Sequence, residues 1–391
     1  MNQHYDVIIV GGGPSGSTCA LALKHSGLKV LMLDKASFPR DKICGDAVSS
    51  TTKRVLREID PLLEQDLLAF APKTYIKQVK VYSPKFQSLL LGLTLTGHCI
   101  RRVDFDNWLF KKAITNPTLT VLQNTTLKTV ETTNNFVTIN TNDGQIFTTN
   151  IIVGCDGALS IVAKQLASFK IDKQHYSAAT RQYYSNVKGL AGNAIEVYFL
   201  KGYLPGYFWI FPLSNNEANV GFGMLSSVIA KHKIDLKQCL HKIITEIPEV
   251  ATRFAEAIPL ETVKGFGLPL ASKKYNLSGN RFMLCGDAAS LIDPISGEGI
   301  ETAMESGKFA AQHIIQAFKT NNFSAAAFKA YDKQVYDKMW PNFKKHYYLQ
   351  RLLSNRVWLI NILIAIGNIR FLKTTANEAY FSTTKQKNGV G

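Results

Sequence analysis

The chain has 391 residues, 46% of them hydrophobic, and a formal net charge of +16. That apolar content supports a large buried core, in one large or two interleaved domains, and excludes a chain disordered along its length. The six cysteines, at 19, 44, 99, 155, 239 and 285, form no C-x-x-C pair and have no His cluster beside them, so a metal site is not expected. The chain does not open on a charged segment followed by an apolar one, and the expected setting is cytoplasmic with reduced thiols.

In chain order, Tyr5–Val10 is a nearly unbroken apolar run rich in β-branched residues, which predicts a strand buried on both faces. Gly11-Gly12-Gly13-Pro14-Ser15-Gly16 follows it. Gly11 allows a tight turn, Gly13 lets a phosphate approach the backbone, and Gly16 lets the next helix pack on the strand. Pro14 suits a first helical turn. The helix is predicted from Pro14 to Ser26, with Ala20, Leu21 and Leu23 inward, and its N-terminus attracts a pyrophosphate. A second buried strand, Lys29–Asp34, ends in a carboxylate placed for a ribose hydroxyl.

Next comes a loop, Phe38-Pro39-Arg40-Asp41-Lys42-Ile43-Cys44-Gly45, and then Ile76–Tyr82 and Ser88–Thr94, which read as a β-hairpin inserted toward a substrate. Residues 177–276 read mainly as strands broken by one amphipathic helix near Leu236–Ile247. Examples are Ile195–Leu200, Tyr207–Leu213, Ala218–Met224 and Thr262–Leu268, in a predicted antiparallel sheet with an aromatic face. Arg281–Cys285 is another buried strand. Gly286-Asp287 closes it, and Asp293-Pro294-Ile295-Ser296-Gly297-Glu298-Gly299 leads into a helix with Ile300, Ala303, Met304 and Gly307 at helical spacing. Asp287 is placed for a polyol such as a ribityl chain, and this helix start suits negative charge on the pyrimidine side of a reduced flavin. The two glycine signatures together describe one long ligand held at both ends, and FAD fits it.

The glycine signatures, the Phe38–Gly45 loop, Gly206-Tyr207-Phe208-Trp209-Ile210-Phe211-Pro212 and Gly221-Phe222-Gly223 resemble the geranylgeranyl reductase branch of the FAD-dependent flavoproteins that include aromatic hydroxylases and halogenases. The resemblance implies an α/β fold: a Rossmann-type FAD-binding domain (1–73, 100–176 and 277–316), an interleaved antiparallel β-sheet substrate domain (74–99 and 177–276) and a helical C-terminal region (317–391). It implies FAD contacts from Gly11, Gly13, Pro14, Ser15, Gly16, Asp34, Lys35, Arg40, Cys44, Gly45, Arg102, Asp156, Gly286, Asp287, Pro294, Gly297, Gly299 and Ile300. Tyr207, Trp209, Phe211 and Phe222 are expected to line the substrate tunnel, with Tyr198 and Phe199 on a neighbouring strand. Cys44, after two cations, is the expected catalytic side chain, either giving a proton or shaping the pocket. His98 and His175 have no motif around them and read as structural or solvated.

The implied reaction is hydride transfer from reduced flavin to C=C bonds of a prenyl lipid or a polyprenyl quinone tail. A flavin monooxygenase or halogenase acting on an aromatic molecule is the alternative. A flavoprotein that binds a lipid without turnover is the non-enzymatic one. Relatives carry an arginine where this chain has Ala163, so the electron donor is open between NAD(P)H and a ferredoxin- or flavodoxin-like protein.

Half of the net charge lies in residues 329–391, with eleven Lys/Arg against three Asp/Glu. There, Val357–Gly367 is an apolar run flanked by Arg351, Arg356, Arg370 and Lys373. It is shorter than the about 20 residues a membrane span needs, and suits a buried helix or one in the membrane interface. No nucleic-acid module is present.

Overall fold

The computed structural model describes residues 3–354 and 356–367. Arg370, Lys373 and the tail beyond lie outside them. The first sheet has eight strands. Its central path runs Ser278–Gly279, Phe282–Leu284, Ile146–Gly154, Gln3–Val10, Val30–Leu33, Leu119–Leu122, and from Phe282–Leu284 onward every pairing is parallel. A hairpin, Leu127–Thr132 and Val137–Thr141, extends it through Ile146–Gly154. Val7 to Leu33 in the two central strands are buried, as unbroken apolar runs require of a sheet covered on both faces.

The register of this sheet assembles the site. Val10 pairs with both Leu33 and Gly154, and Gly154 pairs with Leu284. The segments that follow these strands therefore emerge at one edge: the glycine loop, Asp34, Asp156 and Asp287. The first helix ends earlier than its sequence pattern suggests, running Pro14–Ala22, although Ala20, Leu21 and Leu23 are inward as expected.

The second sheet has nine strands. It is antiparallel except where Ala194–Tyr198 runs parallel to Thr74–Tyr82. Thr74–Tyr82 and Ser88–Cys99 are the expected hairpin, and they join the sheet as full members. Three helices, Ser226–His232, Leu236–Glu246 and Pro248–Phe254, follow its strands where one was expected. Leu240, Ile243 and Val250 of the last two pack on Phe208, Val220 and Phe222. That leaves the opposite face of the sheet for the site.

After the second signature, helix Ile300–Thr320 packs across the first helix; a Cβ on Gly307 would lie 2.2 Å from the Ser15 carbonyl oxygen. The C-terminal region is helical, as Ala325–Leu353 and Val357–Gly367. The second of these is half in and half out. Ile360 and Ile364 are buried, whereas Trp358, Ile362, Leu363 and Ile366 are exposed.

Candidate active site

A cavity of about 690 Å³ opens at the carboxyl ends of the first sheet's strands and is walled by the second sheet. The topological switch point of an open α/β sheet binds ligands at this edge.

At one end lies the glycine loop. Gly11 sits at φ 103°, and a Cβ there would meet the Cys155 carbonyl oxygen at 2.3 Å. Gly13, Pro14 and Ser15 line the cavity, and no side chain caps the helix they begin. Its orphan N–H groups and positive dipole end are available to a pyrophosphate. Gly16 was expected among the cofactor contacts, but it lies behind the surface. A Cβ there would lie 1.8 Å from the Gly11 carbonyl oxygen, so its role is helix-on-strand packing. Asp34 lines the cavity with each carboxylate oxygen already accepting one backbone N–H, from Gly12 at 2.8 Å and Ala36 at 2.9 Å. A carboxylate oxygen has a second lone pair, so a ribose hydroxyl still finds an acceptor. Lys35 and Arg40 complete this end.

Asp106 gathers two cations. Arg102 holds it bidentately, Nε to Oδ1 at 2.7 Å and Nη2 to Oδ2 at 2.8 Å, and Arg40 Nη1 reaches Oδ2 at 3.1 Å. Arg102 also faces the Cys44 thiol. It lines the cavity, but as one half of a buried ion pair rather than a free cation. Asp156 lines the cavity too, and its carboxylate is spent locally, accepting from the Ser160 hydroxyl and from Ile161 N at 2.7 Å at the start of helix Ile161–Leu166.

At the other end, helix Ile300–Thr320 starts at Gly299, again with no side-chain cap, and Pro294, Gly297, Gly299 and Ile300 line the cavity. Asp287 lines it as well, whereas Gly286 is buried beneath, at φ 59°, donating its N–H to Ser306 Oγ at 3.0 Å. Gly286 thus shapes the turn. Lys42 Nζ stands 3.7 Å from Asp287 and 3.4 Å over the Phe266 ring. Burial pushes the Lys42 ammonium below its ordinary pKa, against the pull of Asp287.

Tyr207, Trp209 and Phe211 face the cavity from alternate positions of one strand, and Phe199 joins them. Two expected members do not. Phe222 pairs with Phe208 across the sheet and is wholly buried under the helices on the far face, and Tyr198 lies in the same cluster. The glycines of the Gly221-Phe222-Gly223 segment take the cavity side, so Phe222 must point away. Cys44 and Gly45 line the cavity, with the Phe211 ring against Gly45.

A polar network that no motif announced fixes this wall. Trp209 Nε1 donates to Asn219 Oδ1 at 2.9 Å, and Asn219 Nδ2 donates to the Cys44 carbonyl at 2.7 Å and to Asp46 Oδ2 at 2.8 Å. Tyr183 Oη also donates to Asp46, at 2.7 Å. Burial raises Asp46 to about 6 against these hydrogen bonds. Arg181, fully buried in the wall, pairs with Asp41 at 2.9 Å and with Glu261. The one sequence signal for this network is a lone Asn inside an apolar strand. Gln350, Leu353 and Ile360 bring the C-terminal helices to the cavity. His98 is buried and His175 bonds Ser272 at 2.8 Å, both away from the cavity. Among the described residues no group of His, Cys, Asp and Glu is arranged to hold a metal.

Two uncapped helix starts and a close-backbone cradle on one elongated cavity fit FAD. A family described as FAD binding domain matches residues 4–335, a span that includes the strands of both sheets. The chain belongs to that family. It is an FAD-dependent oxidoreductase. It is 29% identical over 365 residues to the digeranylgeranylglycerophospholipid reductase of Methanocella arvoryzae, covering 90% of this chain and 88% of the relative. Its fold matches a geranylgeranyl bacteriochlorophyll reductase-like protein of Thermoplasma acidophilum with a TM-score of 0.82, at 24% identity over 95% of this chain and 93% of the other. The halogenase PltM in complex with phloroglucinol and FAD matches with a TM-score of 0.75, at 18% identity over 90% of this chain and 78% of the other. This oxidoreductase thus shares its architecture with both chemistries.

Proposed function

We propose that this oxidoreductase saturates isoprenoid C=C bonds on a prenyl lipid or a polyprenyl quinone tail. The observation that carries the reading is the aromatic wall: Tyr207, Trp209 and Phe211 line the cavity beside Cys44, with Tyr207 hydrogen-bonded to the loop before the second helix start. The reductase relative's name supports a prenyl substrate.

Bound FAD, once reduced, supplies a hydride. The chain's residues do the rest. The aromatic wall holds an apolar chain and excludes water. Asn219 fixes Trp209 and the Cys44 backbone together, so the wall and the loop keep one spacing. Cys44 presents a small thiol at the reacting end. Electrons come from NAD(P)H or from a ferredoxin- or flavodoxin-like protein.

A long apolar substrate is best delivered from a membrane surface, and we infer a cytoplasmic protein that touches one. The exposed side chains Trp358, Ile362 and Ile366 lie on the same helix as Ile360, which lines the cavity. That helix packs on the hairpin strand that exposes Leu90, Leu91, Leu93 and Leu95, with Gly367 against Leu89. Among the described residues no single helix is long and apolar enough to cross a membrane. Trp358→Ser together with Leu95→Ser should lower sedimentation with anionic vesicles and leave thermal stability unchanged; undiminished sedimentation rejects this surface.

The test of the main reading is anaerobic. Dithionite-reduced protein mixed with a geranylgeranylated lipid or a menaquinone should reoxidise its flavin and yield a product heavier by two hydrogens per reduced bond. Flavin that stays reduced until O₂ is admitted, and then yields an oxygenated or halogenated aromatic product, assigns the protein to the alternative chemistry.

A further inference from the structure

The loop before helix Ile300–Thr320 carries an acid that the mechanism above does not use. Glu298 lines the cavity between Gly297 and Gly299, one residue from the point where the Tyr207 hydroxyl presses on Gly297. Its backbone N–H bonds Ser296 Oγ at 3.2 Å and its carbonyl accepts from Asp293 N at 2.8 Å, so the loop is closed. No donor among the described residues reaches its carboxyl group, whereas its neighbours' polar groups are committed. Tyr207 Oη donates to the Ser296 carbonyl at 2.7 Å. Asp293 Oδ1 accepts from Ile295 N at 3.0 Å and Ser296 N at 2.9 Å.

Two further titratable groups stand beside this loop. Asp293 Oδ2 meets His346 Nδ1 at 2.5 Å, and His346, on helix Ala325–Leu353, has about a third of its side chain exposed, 35%. Gln350, one turn further along, hydrogen-bonds the Pro294 carbonyl and ties that helix to the loop. The charged and titratable groups facing Glu298 are Glu301 in the first turn of the helix that follows, Asp293 on the loop, His346 on the C-terminal helix and Tyr207 on the aromatic strand.

We propose that Glu298 is the proton donor of the alkene reduction, resupplied from solvent. The proposal rests on the reductase reading above. As the C=C π bond breaks, one carbon takes the hydride from the reduced flavin. The other takes the proton of Glu298, whose O–H electron pair stays on the carboxylate. The flavin ends oxidised, the alkene ends with two new C–H bonds, and the carboxylate regains a proton from solvent. The environment keeps the acid loaded. Glu298 is exposed to the open cavity, but the atoms crowded around it still push its carboxyl up to about 7; Glu301 and Asp293 add to this, and His346 opposes it. An acid matched to neutral pH is the efficient choice for such a transfer. Tyr207 is the less suitable donor, because burial and these same carboxylates hold its phenol far above neutral pH and its proton is bonded to Ser296.

The test uses the FAD-loaded protein, Glu298→Gln and Glu298→Asp, with a geranylgeranylated lipid as probe. Infrared difference spectra across neutral pH should contain a protonated-carboxyl band that is absent from Glu298→Gln, a readout independent of turnover. The Gln variant should reduce the alkene at least about a hundredfold more slowly, while the Asp variant keeps substantial turnover and the wild-type loss of rate above pH about 7. His346→Ala should move that inflection to higher pH. Wild-type rate and pH profile in Glu298→Gln, with an active wild type, overturn the proposal alone. If Glu298→Gln loses FAD, the Asp variant decides: an unaltered inflection and band support the proposal, and their absence in an active protein overturns it. A wild type that reduces no prenyl alkene removes the reductase reading and this proposal with it.

Discussion

The two ends of the cavity use the same device with opposite surroundings. Each is a helix start with a glycine at its cap and no side-chain cap: Gly13 before Pro14–Ala22 and Gly299 before Ile300–Thr320. The first has no acid in its opening turn and Arg40 Nη2 3.1 Å from where a Gly13 Cβ would sit. The second carries Glu301 in its opening turn, and Asp293 and Glu298 in the loop before it. A positive helix end with no acid in its opening turn, and with Arg40 beside it even though Arg40 is paired with Asp106, holds a permanent anion. A positive end surrounded by carboxylates stabilises no fixed anion so well; it suits charge and protons that come and go during a reaction. The lesson is that a helix start does not specify its ligand until the neighbouring charges are counted.

The first way to break this comparison is at the nucleotide end. Gly16→Val forces a side chain into the Gly11 carbonyl, 1.8 Å from its Cβ, and neither backbone can yield. The expected outcome is loss of the folded, FAD-containing protein, read from the flavin-to-protein absorbance ratio; a yellow, soluble variant would show that the cradle is looser than its geometry. The reacting end should respond differently. Cys44→Ser is expected to keep FAD at wild-type stoichiometry and lose most alkene reduction, whereas normal turnover removes Cys44 from the mechanism.

The aromatic strands sharpen the contrast further. Phe222→Ala, on the core face, should cost about 3–5 kcal/mol of stability with little change in KM, by denaturant unfolding and kinetics together. Phe211→Ala, on the cavity face, should show the reverse. The smallest effect is far from both ends. His98 is buried with neither ring nitrogen hydrogen-bonded among the described residues, and burial, aided by Lys53 and Lys73, lowers its pKa to about 4. An unfolded His takes its proton near 6.5. The folded state therefore binds fewer protons between these values, and His98 withdraws stability as pH falls from about 6.5 toward 4. Melting temperatures of His98→Gln should fall less steeply with acid than those of the wild type; parallel curves reject this.

Both ends were legible in the sequence because their signals are local. Strand, glycines and helix follow one another within Tyr5–Ala22, and Gly286 to Ile300 is equally continuous. What was not legible depends on partners far along the chain. Asp46 is buried by Tyr183 and Asn219, Arg181 by Asp41 and Glu261, and His346 meets Asp293 from a helix that begins after residue 324. Phe222 was assigned to the wrong face because its strand is covered on both sides, which erases the alternation that reports direction. Gly16 and Gly286 were read as ligand contacts, although sequence position cannot separate a glycine that touches a ligand from one that lets backbone through behind it.

The most direct measurement is the crystal structure of the FAD complex. The account predicts the pyrophosphate on the N–H groups at Gly13–Ser15, and the flavin ring at Gly299–Ile300 with Glu298 and the Tyr207–Trp209 wall both on its substrate side. A ring lodged at the first helix start, or outside the aromatic wall, contradicts it.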